Sequence, residues 1–140
     1  MTIKTAADFV RLVESDDPEE RQLAAWDDAP LPVWKSVIEN YPDMRFWVAH
    51  NRTTPAEILR TLAGDSDWRV RHRIASRASC PGEILEMLSR DSHDSVASAV
   101  AGHPRTPVAA IQHLADHPWN QVREKAIRQL TERADEVDAK

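Results

Sequence analysis

Six histidines, one cysteine and a run of arginines are the residues of this chain best placed to do chemistry. His113 and His117 stand four apart, so on a helix both imidazoles would share a face with Asp116 beside them, as the start of a metal site requires. The set stops there, because no third ligand has a matching spacing and His117 precedes Pro118, near a helix end. Cys80 directly precedes Pro81, and a thiol at a helix N-terminus is a candidate for a lowered pKa. Threonine holds the equivalent position at Thr54 and Thr106, which favours a packed or capping thiol. Arg69, Arg73 and Arg77 recur every four residues, a spacing that lines three guanidinium groups along one helical face for carboxylates or phosphates. Catalytic signatures are missing. Gly64, Gly82 and Gly102, the three glycines, are too scattered to cradle a phosphate, and neither H-E-x-x-H nor G-x-S-x-G occurs. The chain reads as a non-enzyme with no cofactor and no metal.

Composition narrows the partners. The 140 residues, 41% apolar with five Trp, suffice for one domain with a real core. A formal charge of -5 opposes general binding to nucleic acid or a membrane surface, which draws on excess Lys and Arg. The balance is uneven: residues 1–43 carry 4 basic and 10 acidic groups, whereas residues 44–90 carry 8 basic and 5 acidic. With a single cysteine there is no intramolecular disulfide and no Cys-based zinc or iron–sulfur set. Neither a signal peptide nor a long apolar run stands out, so the reading is a soluble cytoplasmic protein.

The elements that must position these residues are repeated. Aligned on Pro30, Pro55, Pro81 and Pro107, the chain shows an aliphatic–Ala pair seven residues earlier: Leu23-Ala24, Val48-Ala49, Ile74-Ala75 and Val100-Ala101. Trp34/Val37, Leu59/Leu62, Leu85/Leu88 and Ile111/Leu114 follow at plus four and plus seven, and Met44, Val70, Val96 and Val122 open the second segments. Each unit of 25 or 26 residues therefore reads as two short helices with one apolar stripe apiece. Thr54-Pro55-Ala56-Glu57 predicts a capping box at a helix start, and Gly64 a left-handed turn at its end. Helices of two to three turns are not stable alone, so the units must stack on one another into one continuous core. The expected organisation is a single domain over 1–140, with an N-terminal capping helix in 1–17, about four and a half repeats in 18–130 and a polar tail in 131–140.

Read from Pro55 to Ala75, the pattern P-x-E-I-L-x-x-L-x-x-D-x-x-x-x-V-R-x-x-I-A resembles the variant leucine-rich repeat family, whose units are similar to HEAT repeats. The resemblance spans roughly residues 18 to 130 and is best in the two central units. Repeat one departs from it with Asn40 at the turn, repeat four with Ala97 and His117, and the family's N-terminal cysteine cluster is absent. What the resemblance implies is an all-α, right-handed α-solenoid used as an interaction surface. It also implies that Arg45, Arg71 and Arg123, in one phase, form a structural ladder with the turn residues Asp65 and Asp91.

The second helix of each unit would, by the same resemblance, line the concave side. That places Trp26, Trp47, Asn51, Arg69, Arg73, Arg77, His103 and Lys125 on a candidate binding face, with Trp and Arg the residues that most often dominate binding energy. The plainer alternative is a solvated charged face with Trp rings packed between units. Trp68 and Trp119, at helix starts, read as packing residues. The expected function is binding of a protein or peptide, an acidic one included, with no membrane role and an open oligomeric state. The competing reading is a HEAT-like nucleic-acid binder related to DNA glycosylases, which would use Arg69, Arg73 and Arg77 on phosphates. It would need a catalytic carboxylate and a broader basic surface, and the acidic N-terminal third opposes it.

Overall fold

The computed structural model describes residues 3–138, and among them there is no strand: ten α-helices and one short 3-10 turn account for the regular structure. No described helix is long and apolar enough to cross a membrane. The chain divides into two compact units, Met1–Asp65 and Ser66–Lys140.

The first unit contains α1 (Ala6–Glu14), α2 (Pro18–Trp26), α3 (Leu31–Asn40), the 3-10 turn Pro42–Met44, α4 (Arg45–His50) and α5 (Ala56–Leu62). A capping box starts α1: the Thr5 hydroxyl accepts from the Asp8 amide at 3.1 Å and the Asp8 carboxylate accepts from the Thr5 amide at 3.1 Å. α1 packs on α2 and α3, α2 on α4, and α3 on α4. The core gathers Ile3, Phe9, Leu12, Trp34, Val37 and Val48, all within 1% of full burial, with Phe9 and Trp34 edge to face at 5.2 Å. Leu23 departs from the repeat expectation. It is 38% exposed while Ala24 is buried, so α2 turns its small residue inward at this level.

The second unit contains α6 (Trp68–Ala75), α7 (Gly82–Leu88), α8 (Asp94–Gly102), α9 (Val108–Leu114) and α10 (Asn120–Asp138). Each helix packs on the next and on the next but one: α6 on α7 and α8, α7 on α8 and α9, α8 on α9 and α10. The interior is Val70, Ile74, Leu85, Leu88, Val96, Val100, Ile111, Leu114 and Val122, the positions the spacing marks as apolar. α10 runs on through Asp138, so residues 131–138, expected as a tail, are helical; residues 139–140 lie outside the described residues.

Two local expectations are corrected. Pro30, Pro55, Pro81 and Pro107 do stand at helix starts, but as N-cap residues, and Thr54 does not cap α5. Its buried hydroxyl instead donates to the Val48 carbonyl at 2.8 Å, and Thr106 does the same to Val100 at 2.7 Å. The hydroxyl satisfies an orphan carbonyl at the end of the preceding helix and folds the chain back. Gly64 is not left-handed, since no described residue has positive φ. The end of α5 tightens through Gly64 N–H to Thr61 O and Asp65 N–H to Leu62 O.

Candidate functional site

The most exposed aromatic surface of the first unit lies on α2 and α4. Trp26 and Trp47 are 50% and 41% exposed although both belong to helices whose other faces are buried. Trp47 forms one wall of a groove of about 430 Å³ whose remaining lining includes Val13, Pro18, Arg21, Gln22, Ala25 and His50. Two neighbours fix the indole: Phe46 meets it edge on at 5.2 Å and His50 at 5.9 Å, so it is preorganised at little side-chain entropy cost. The guanidinium of Arg52 lies 3.7 Å above the Trp26 ring, a cation–π contact, and the Arg52 amide donates to Ala25 O at 2.8 Å.

Asn51, expected on the same face, is fully buried. Its amide nitrogen donates to Ala24 O at 2.8 Å and Asp27 O at 2.9 Å, while its carbonyl oxygen accepts from the Thr53 amide and hydroxyl. Asn51 therefore ties the end of α4 to the end of α2 and holds Trp26 and Trp47 in register.

The arginine series of the second unit is not a uniform solvated stripe. Arg69 is exposed and chelated by Asp67, its Nε and Nη2 each 3.1 Å from that carboxylate, which lies below the ordinary carboxylate range because of this pairing. Arg73 is half-buried. Arg77 is only 6% exposed, and burial lowers its pKa. The reason is that α6 ends at Ala75, so the four-residue phase no longer holds at Arg77. His103 is buried for the same reason, one residue past α8: its Nε2 lies 2.6 Å from Arg77 O and its Nδ1 accepts from the Arg105 amide at 3.0 Å. Lys125 is exposed on α10, donating to the Ser98 hydroxyl at 2.7 Å.

The other arginine phase is paired across a whole repeat. Arg71 meets Asp91 through two bonds of 2.7 and 3.1 Å, and Arg45 meets Asp65 at 3.3 Å while its Nε donates to Ile38 O at 2.7 Å. Asp65 and Asp91 are 7% and 6% exposed, so each carboxylate depends on its arginine. Arg123 reaches instead the His117 carbonyl and Asn120.

Cys80 is buried and its thiol is pushed up to about 11 by desolvation, opposite to the lowering a helix N-terminus could bring. His117 points its Nδ1 at the Trp119 amide, His113 is exposed, and no group of three or more metal-ligating side chains gathers among the described residues. Arg21, His50 and Arg52 join the Trp face without a sequence signal in the repeat phase. Comparison of the chain with family models, with curated proteins and with solved structures gave no match.

Proposed function

We propose that this protein is a non-enzymatic binding module, built of HEAT-like repeats similar to variant leucine-rich repeats and stacked as a right-handed α-solenoid, that takes a protein or peptide on the face bearing Trp26 and Trp47. The observation that carries this reading is the half-exposed Trp47 indole on the wall of a groove of about 430 Å³, held by Phe46 and His50, with the half-exposed Trp26 under Arg52 on the helix packed against it. Large rigid aromatic surface with a nearby guanidinium is what concentrates binding energy at protein interfaces. A nucleic-acid role draws no support from the arginine series, because Arg77 is buried and Arg69 is occupied by Asp67.

Selection of a displayed random-peptide library on the full chain, with duplex DNA binding measured over a salt series, tests the reading. Enriched peptides that share a consensus and no salt-dependent DNA binding are expected. A steep loss of DNA affinity with salt, and no enriched peptide, would replace the proposal with the nucleic-acid reading.

A further inference from the structure

Three histidines of the second unit make the same hydrogen bond. His93 Nδ1 accepts from the Ser95 amide at 3.1 Å, His103 Nδ1 from the Arg105 amide at 3.0 Å, and His117 Nδ1 from the Trp119 amide at 3.0 Å. In each case the donor is the amide two residues on. His93 and His103 are the N-cap and C-cap of α8, and His117 precedes the start of α10. The three turns at which the chain enters α8, leaves it and enters α10 thus rest on an unprotonated Nδ1.

The repeat itself supplies the comparison. Twenty-six residues before His93 stands Asp67, whose carboxylate accepts from the Arg69 amide at 2.9 Å; before His117 stands Asp91, which accepts from the His93 amide at 2.9 Å. Fifty-two residues before His103 stands Asn51, which accepts from the Thr53 amide at 2.8 Å. One turn geometry is therefore written with an oxygen acceptor in one repeat and with an imidazole nitrogen in another. Only the imidazole loses its acceptor in the range just below neutral pH.

We infer that His93, His103 and His117 form an acid-sensitive release of the helices they bracket, so that protonation opens the turns around α8 and at the start of α10 while the turns built on Asp67, Asp91 and Asn51 hold. Protonation sets an Nδ1–H against a backbone N–H, donor facing donor, at all three turns. Charged groups surround each imidazole. His103, 6% exposed, gives its Nε2 to Arg77 O and is flanked by Arg77, by Arg105 and by Arg133 of α10, whose guanidinium donates to Pro104 O at 2.7 Å. His93 is stacked on Trp68 at 4.0 Å, with His72 of α6 on one side and Asp94 next in sequence; the Asp91 carboxylate that its amide contacts is committed to Arg71. His117 has Asp94 of α8 at 3.9 Å from its Nε2, with Asp116 next in sequence and Arg123 on its carbonyl.

Two-dimensional ¹H–¹⁵N NMR of the full chain between pH 7.5 and 5 reads this without any substitution. The amide protons of Ser95, Arg105 and Trp119 are expected to move upfield together with protonation of their imidazoles, while those of Arg69 and Thr53 stay. If the first three keep their shifts through pH 5, or all five move alike, the inference is wrong. The substitutions His93→Asp, His103→Asn and His117→Asp copy the oxygen acceptors already used in the other repeats. Loss of three caps corresponds to a fall of about 10 °C in Tm between pH 7.5 and 5.5, and in the triple variant the fall should be less than half as large. His72 is common to both proteins, so an equal fall in both would overturn the inference.

Discussion

Arg71→Ala removes the cation, and with it both hydrogen bonds, of the closest ion pair in the second unit's turns. Its Nε and Nη2 hold Asp91 at 2.7 and 3.1 Å, and the two side chains are only 15% and 6% exposed. After the change Asp91 keeps the His93 amide at 2.9 Å but loses its Arg71 partner in a nearly water-free turn. Breaking a fully buried pair costs about 3–5 kcal/mol, and the residual access of Arg71 brings the expectation to about 2–3 kcal/mol. In a chain of this size that is a fall of about 8–12 °C in Tm. Arg69→Ala is the control: its pair with Asp67 is exposed and screened by water, so its loss should leave the unfolding midpoint nearly unchanged, and Asp67 retains its cap on the backbone amide of residue 69. Urea unfolding followed by circular dichroism at 222 nm, with the Arg71→Ala/Asp91→Ala double variant closing the cycle, measures both. Equal losses for Arg71→Ala and Arg69→Ala, or a coupling energy near zero, would refute the buried-pair reasoning.

Asn51→Ala removes two carbonyl acceptors' donors and the Thr53 acceptor at full burial, and should cost about 2–3 kcal/mol in the same assay. Cys80, buried and with its thiol raised to about 11, should react with a thiol reagent at pH 8 only when the chain is denatured; rapid labelling of the native protein would contradict its placement. His72 has its pKa lowered by burial and by Arg73, His93 and Lys125. The unfolded chain therefore takes up this proton first, and the contribution of His72 is complete above the ordinary imidazole range and lost as pH falls through it toward the folded value. An NMR titration midpoint for His72 at or above that of a free imidazole would contradict this.

The phase of the apolar residues was legible because burial follows the helical period: Leu59 and Leu62, Leu85 and Leu88, Ile111 and Leu114 are all inside. The Arg and Asp of the turns were legible as a set, but not their register, since Arg71 reaches Asp91 of the following turn and Arg45 reaches Asp65. The errors fall at helix ends. Asn51, Arg77 and His103 were read as if their helices continued, yet α4, α6 and α8 stop at His50, Ala75 and Gly102, and past those points 100° per residue predicts nothing. Thr54 misled for a related reason: a hydroxyl beside a proline can serve the helix behind it as well as the one ahead, and the choice depends on which backbone group tertiary folding leaves unpaired. Trp26 and Trp47 stayed exposed because they lie within their helices, where the period holds.

Calorimetric titration of one library-selected peptide tests most directly whether the Trp26–Trp47 face is the binding surface. Truncating a rigid aromatic at the centre of an interface typically costs 2 kcal/mol or more, so Trp47→Ala should weaken binding by about 30-fold or more while leaving Tm nearly unchanged. Arg69→Ala should leave the affinity within about twofold, since its guanidinium is already committed to Asp67. A peptide that binds the wild type and the Trp47→Ala and Trp26→Ala variants alike would contradict the account.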